Sequence, residues 1–366
     1  MTPLNVLVIG ADAGGNVPPV AAVCRELVER GHRVAFAGML LRHVGVEPVP
    51  LPALMGHQPG LAANGVAQMT DMARMGMGPA LAKQVRQEIG RRHPDVVAID
   101  GIMVSSIREA TRIGPPTAVL FHSFGALWGG RMSRGPASAV LGPFGLSPTA
   151  VWGAADARLL LTDRDLDPLT DEENTLGFEW TGTTEQAVPP APRSHDEPPL
   201  VLVSLSSVWQ RKQDDVYRRV ITALGRLPVR AVVTRSMPQT PLRGEFPPNV
   251  EVRGRSAHTE ILPHAALVIG HGGHSTTLAA LAHGVPLLVL PMNRTSDQPL
   301  IGRVVESQGA GRVLSRSVPA PELQSSIADL LADARIATAA ARVGERLRAE
   351  RGAAVAADRI EQLAGR

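Results

Sequence analysis

Sulfur chemistry is almost absent from this chain: one cysteine, Cys24, stands among 366 residues. That excludes an internal disulfide and any cysteine cluster for a metal. Cys24 lies on a predicted helix among Val20, Ala21 and Leu27, where a small buried hydrophobe is expected rather than a nucleophile. Aromatic residues make up only 3% of the chain, too few to build a base-stacking surface. The formal net charge of +3 is small, and the basic side chains, nearly all arginine, are interleaved with acids, as in RVGERLRAER at Arg342 to Arg351. Such a stretch is a solvated helix face, so no nucleic-acid partner is expected. No apolar run approaches the roughly 20 residues of a membrane-spanning helix. The chain enters a strand-like run at Leu4 to Ile9 without a basic leader or cleavage site, and the expectation is a cytoplasmic protein with no stable membrane insertion.

What the chain does have is apolar patterning, 44% of its residues, over a length that suits two domains. Leu4 to Gly10 is a continuous apolar run closed by glycine, the mark of a parallel strand buried on both faces. A helix over Val20 to Arg30, stopped at Gly31, and a strand at Arg33 to Ala37 complete a βαβ unit. Further strands are predicted at 95–100 (DVVAID), 117–121 (TAVLF) and 158–162 (RLLLT). Residues 187–199, AVPPAPRSHDEPP, hold five prolines and read as a linker. The pattern then restarts, with strands at 200–204, 229–234, 267–270 and 286–290, and helices over 214–226 and 276–283. The class is α/β, with two doubly wound units at 1–190 and 200–366 and a last helix free to cross back. Two such units leave a cleft between the carboxyl ends of their sheets, where ligands of open α/β folds bind.

The strongest chemical signal runs from Pro263 to Gln298, PHAALVIGHGGHSTTLAALAHGVPLLVLPMNRTSDQ. A strand empties into His271-Gly272-Gly273-His274-Ser275-Thr276 and a helix begins there. Glycine lets backbone approach a ligand closely, and Ser275 and Thr276 can cap the helix or bind an anion. The helix start offers free N–H groups and the positive end of a dipole to a phosphate. A pyrophosphate site follows that needs no metal, and no paired carboxylates call for one. A Gly-Gly turn alone would be equally well explained as a tight connection. The downstream GVPLLVLP and Asp297-Gln298 make that explanation poor.

These residues closely resemble the donor-binding signature of inverting GT-B glycosyltransferases of the family 1 type, which include natural-product glycosyltransferases of plants and bacteria. The resemblance implies a GT-B architecture, two Rossmann-like domains with parallel sheets facing across a cleft, the first binding an acceptor and the second a nucleotide sugar. It implies that His271 contacts the pyrophosphate, with Gly273, His274, Ser275 and Thr276 around the same phosphates. It implies further that Asp297 and Gln298 hold the sugar hydroxyls and that Ser207, in LVSLSS, contacts the donor. The run through Arg255, Ala257 and His258 falls where the family holds the nucleobase. Arg255 replaces a stacking tryptophan of plant members, and its planar guanidinium can stack instead. Ala279 replaces a glutamate that binds ribose hydroxyls, which favours a dTDP-sugar, with a UDP-sugar next. No cofactor or metal is expected, the nucleotide sugar being a co-substrate, and a homodimer is compatible with the sequence.

The acceptor end departs from the family. Members carry a histidine base in the first loop, supported by an aspartate from a later strand. Here that loop reads GADAGGNVPP from Gly10, and Asn16 occupies the histidine's position. A neutral amide can orient a hydroxyl but cannot take its proton. Asp100, at the end of a strand, falls where the partner aspartate belongs, and Asp12 shares the loop; either carboxylate is a candidate, and either could instead be a cap or turn former. His57 and His122 stand in reserve. Met55 to Met77 holds five methionines, suited to an apolar natural-product acceptor or to the inward face of an amphipathic helix. The stretch Ser123 to Pro148, with Trp128 and Phe144, is expected to wall the acceptor. Beside the transferase stands a non-catalytic GT-B partner that assists another glycosyltransferase, favoured only by Asn16. A GT-B epimerase lacks its acidic-histidine pattern here, and a nicotinamide dehydrogenase lacks its G-x-G-x-x-G.

Overall fold

The computed structural model of the chain describes all residues except 1, 39–44, 55–64, 134, 136–137, 139–140, 192–196, 207–211, 236–241, 243, 255 and 366. Ser207, Arg255 and His57 lie outside the described residues. The chain forms two compact units, one within Met1–Pro59, Val66–Thr184 and Arg351–Arg366, the other within Glu185–Glu350. The division falls at 184/185, ahead of the proline-rich stretch, whose Ala191 N–H is held by Pro263 O at 2.8 Å in the second unit.

The first unit runs β1 (Asn5–Gly10), α1 (Val17–Glu29), β2 (Arg33–Gly38), β3 (Val46–Pro50), α2 (Gly65–Met77), α3 (Pro79–Arg92), β4 (Val96–Asp100), α4 (Val104–Ile113) and β5 (Thr117–Phe121). A π-helical segment Leu127–Met132 follows, then α5 (Pro148–Gly153), β6 (Ala157–Leu160) and β7 (Glu179–Trp180). The second unit runs β8 (Leu200–Ser204), α6 (Gln213–Leu224), β9 (Arg230–Thr234), β10 (Val250–Arg253), β11 (Ala265–Gly270), α7 (His274–Ala282) and β12 (Leu287–Val289). It ends with α8 (Gln298–Ser307), β13 (Gly311–Val313), α9 (Ala320–Ala332) and α10 (Ala334–Ala349). The last helix, α11 (Gly352–Ala364), packs on α1 of the first unit.

Both sheets are parallel, in the orders β3-β2-β1-β4-β5-β6-β7 and β10-β9-β8-β11-β12-β13. Successive side chains of a strand point to opposite faces, and β1 shows why its run is uninterruptedly apolar. Leu7 and Ile9 enter one core with Leu81, Val85 and Ile107. Val6 and Val8 enter the other with Val23, Cys24 and Leu27 of α1 and Ile360 and Leu363 of α11. Burial pushes the Cys24 thiol up to about 12, so it stays protonated and inert. Arg30 bonds Asp358 and Glu361 of α11. His32 accepts the Leu4 N–H on Nδ1, which leaves Nε2 to donate to Glu361 at 2.8 Å. That histidine is structural.

In each unit the strand order reverses once, between β1 and β4 and between β8 and β11. Carboxyl ends on either side of such a point diverge, and the crevice they leave is where open α/β sheets bind ligands. The loops carrying Asp12 and Asn16, Asp100, and His271 to Ser275 all emerge at these two points.

Candidate active site

The first crevice is closed by side chains. Asp12 Oδ1 accepts the Gly14 N–H at 2.9 Å, folding the loop into a turn that Gly14 completes at φ +108°. Asn16, buried at the start of α1, accepts the Ala13 N–H on Oδ1 at 3.0 Å. Its amide donates to Ala11 O at 2.6 Å and to Asp100 Oδ2 at 2.7 Å. Asp100 is also buried, and its Oδ1 accepts the Ile102 N–H at 3.0 Å. Both donors of the Asn16 amide are therefore spent inside the chain, and the side chain positions Asp100. Near the same carboxylate oxygen, His122 Nδ1 lies 3.7 Å from Asp100 Oδ2.

The expected acceptor wall is corrected at one position. Trp128 is buried, with its indole N–H on His122 O at 3.0 Å, and packs edge-on against Phe121 and Trp152. A side chain so enclosed contributes to the core and shows a ligand no face. Phe144, by contrast, is 70% exposed. Among the methionines, Met75 of α2 is buried in the core and Met72 is exposed.

The second crevice is built by glycine. Gly272 sits at φ +80°, and a Cβ there would come within 2.8 Å of Gln298 O. Gly273 precedes α7 in an extended conformation, and a Cβ on it would lie 2.5 Å from His271 Nε2. Only a residue without a side chain lets the imidazole lie over the helix start. The first turn of α7 carries the backbone N–H groups of His274, Ser275 and Thr276, at the positive end of the helix dipole. His271 Nδ1 is buried without a hydrogen bond of good geometry among the described residues, and burial pushes the imidazole down to about 4 against the opposing effect of the Ser204 backbone. The ring is thus neutral at physiological pH, a single N–H donor beside the helix dipole.

Gln298, at the start of α8, is buried, and its Oε1 accepts the N–H groups of Met292 at 2.7 Å and Asn293 at 2.8 Å. Two donors on one atom fix the amide's orientation and leave its N–H groups for other partners. Asp297 precedes it at the helix cap without bonding the first-turn N–H groups. His258 Nε2 lies 3.1 Å from Thr234 Oγ1, and burial lowers its imidazole; Ala257 beside it is exposed.

Glu185 is the site residue that sequence reasoning missed. Ser275 donates to its Oε1 at 3.3 Å, and burial pushes the carboxyl up to about 7. It stands 90 positions from Ser275, in a stretch with no motif, and only the tertiary fold pairs them. The folded chain holds this proton in a range where the unfolded chain has lost it. Stability associated with Glu185 is therefore full below the ordinary glutamate range and falls as pH rises to about 7. Glu185→Gln should unfold at a temperature that gains on the wild type over that interval and runs parallel above it. Thermal scans from pH 5 to 8 with no such convergence would remove Glu185 from the buried set.

Among the described residues, no group of three or more His, Cys, Asp or Glu is placed to hold a metal, and no helix is long and apolar enough to cross a membrane.

With this geometry in view, comparison with known proteins is specific. The family model described as Erythromycin biosynthesis protein CIII-like, C-terminal domain, matches residues 218–363. The demethyllactenocin mycarosyltransferase of Streptomyces fradiae is 33% identical over 173 residues, 47% of this chain but 37% of that protein's length. The oleandomycin glycosyltransferase of Streptomyces antibioticus is 27% identical over 399 residues, 98% of this chain and 91% of the relative. Among solved structures, the glycotransferase of kitacinnamycin superposes with a TM-score of 0.79 at 23% identity, covering 99% of this chain and 100% of that one. A spinosyn rhamnosyltransferase complexed with thymidine diphosphate superposes at 0.73 and 18% identity, covering 98% and 100%. At such identities these structures show a shared fold.

Proposed function

We propose that the chain is a family 1 GT-B glycosyltransferase that moves a hexosyl or deoxyhexosyl group from a nucleoside diphosphate to a small apolar natural-product acceptor, with inversion and without a metal. The observation that carries this is the β11–α7 turn, where two glycines bring a neutral imidazole and a helix start to one point. As the bond from the anomeric carbon to the diphosphate breaks, charge grows on the leaving oxygen. The first-turn N–H groups of α7, His271, Ser275 and Thr276 stabilise that charge from fixed positions, with no reorganisation at the moment of reaction. The Gln298 amide and the Asp297 carboxylate act on the sugar hydroxyls. Ser207, Arg255, Ala257 and His258 are assigned to the rest of the nucleotide. On the acceptor side the reading uses Asp100, fixed by Asn16, with Asp12 shaping the loop.

Thymidine diphosphate is the favoured nucleotide. Ala279 offers no carboxylate to a ribose diol, and a structural neighbour was solved with thymidine diphosphate bound. Calorimetric titration of the full chain with dTDP and with UDP, without added metal, should give the tighter binding for dTDP. Tighter binding of UDP would keep the transferase and reverse the nucleotide. Binding of neither would favour a non-catalytic partner of another glycosyltransferase, the role for which Asn16 is the single supporting residue.

A further inference from the structure

The transferase reading leaves open which group takes the acceptor's proton: Asn16 is an amide fully engaged with its own chain, the Asp100 side chain has no exposed surface, and Asp12 is turned onto its own loop. We propose that His122 is the general base, its Nε2 facing the acceptor and its Nδ1 facing Asp100, so that the dyad has moved from the first loop to the end of β5. The proposal rests on the transferase reading but has a structural test of its own.

Four observations converge on His122. It follows β5, whose register pairs Asp100 with Leu120, so the two side chains leave neighbouring strands at the same carboxyl edge. Its Nδ1 is buried, has no hydrogen-bond partner among the described residues, and lies 3.7 Å from Asp100 Oδ2. The side chain nevertheless keeps 20% of its surface exposed, so the accessible part lies elsewhere on it, away from Nδ1. Its backbone is held on both sides: Trp128 donates its indole N–H to His122 O, and the next residue, Ser123, is buried at φ +86°. A serine in the left-handed region costs of order 1–3 kcal/mol and persists only where surrounding structure over-determines it. A π-helical segment, a form concentrated at functional sites, begins at Leu127.

The chemistry balances with these groups. The acceptor oxygen forms a bond to the anomeric carbon, and the bond from that carbon to the diphosphate oxygen breaks, its electron pair leaving with the diphosphate. The hydroxyl proton passes to His122 Nε2. Nδ1 already carries a proton and points it at Asp100, whose carboxylate stabilises the imidazolium that forms. Closing 3.7 Å to a hydrogen bond takes under about 1 Å of movement, a tightening common when a substrate binds. Asn16 and the Ile102 N–H keep the carboxylate aimed while this happens.

Nitrogen-correlated NMR of the histidine rings in the full chain, with His122 assigned through His122→Gln, should find the neutral ring as the Nδ1–H tautomer. Asp100→Asn should shift it toward Nε2–H. An Nε2–H ring in the wild type overturns the proposal, and this measurement needs neither donor nor acceptor. In transfer from dTDP-glucose, His122→Gln should slow reaction with benzyl alcohol by about 100- to 10,000-fold, and with 4-nitrophenol, already ionised at pH 8, by less than about 10-fold. Equal losses with both acceptors, or none with the alcohol, would also overturn it. Failure of the wild type to bind any nucleotide defeats the transferase reading and leaves the tautomer result standing.

Discussion

Replacing His271 by alanine is expected to slow sugar transfer by about 100- to 1,000-fold while leaving the midpoint of unfolding almost where it was. The two effects part company because of how the ring is held. Its Nδ1 is buried without a hydrogen bond of good geometry among the described residues, and its contact with the Ser204 backbone adds little to stability. Removing it therefore gives up little hydrogen bonding. What is lost, on the proposed reading, is a donor at the leaving diphosphate. Since burial holds the imidazole down near 4, it donates as a neutral ring. The rate should therefore show no titration of His271 between about pH 5.5 and 8. Gly273→Ala retains the ring but places a Cβ 2.5 Å from its Nε2, so it should reproduce part of the rate loss. Kinetics and thermal unfolding on the same preparations decide the matter: a large fall in unfolding midpoint for His271→Ala would make the residue a structural one.

Asn16→Asp is expected to lose about 3–5 kcal/mol of stability at neutral pH, the cost of an uncompensated buried charge, and to recover part of it in acid. The wild-type amide donates to Asp100 Oδ2 at 2.7 Å with both residues buried. A second carboxylate there replaces a donor by a like charge, and two such groups ionise together only at high cost. In the variant one proton is shared, so its folded form binds a proton that the unfolded chain, with carboxylates near 3.9, has released. The pH-dependent part of the deficit is absent below that value, grows as pH rises, and levels off once the shared proton has been lost. Urea unfolding at pH 5 and pH 8 should give the smaller deficit at pH 5. Equal deficits at the two pH values would mean that Asn16 and Asp100 are not in contact.

The legible parts of the fold were those buried on both faces. β1, β4, β5, β8 and β11 lie inside their sheets, and every residue in them from the second onward is apolar or closes the strand. The strands without a sequence signal are β3, β7, β10 and β13, and these are the four sheet edges. VEPVP, EW, VEVR and GRV are short, and charge, proline or glycine interrupts them, because an edge strand pairs on one side and needs no continuous apolar run. Helix α1 begins at Val17, ahead of the apolar periodicity, because Pro18 and Pro19 sit in its first turn, where a missing N–H is harmless.

The candidate site divides the same way. The strand, turn and helix start around His271 to Thr276 could be read from sequence because they are local objects. The contacts of Asn16 and Asp100 span 84 positions, and the loop resemblance anticipated only their neighbourhood. His122 beside Asp100 and Glu185 beside Ser275 had no sequence marker, since each contact is created by sheet order or chain return. Gln298 was read for a sugar and also holds the turn after β12 through Oε1, a backbone contact that side-chain identity does not announce.

The return of α11 to the first unit has a consequence for recombining related chains. Ala356, Ala357, Ile360 and Leu363 fill the same core as β1 and α1, and a Cβ on Gly352 would come within 2.4 Å of the carbonyls of Gly182 and Thr183. A chimera spliced only near residue 185 would therefore pair one parent's barrierless helix start and core face with the other parent's sheet. Residues 1–184 and 351–366 form one heritable block, so an exchange of the second unit needs two junctions, with 185–350 as the cassette.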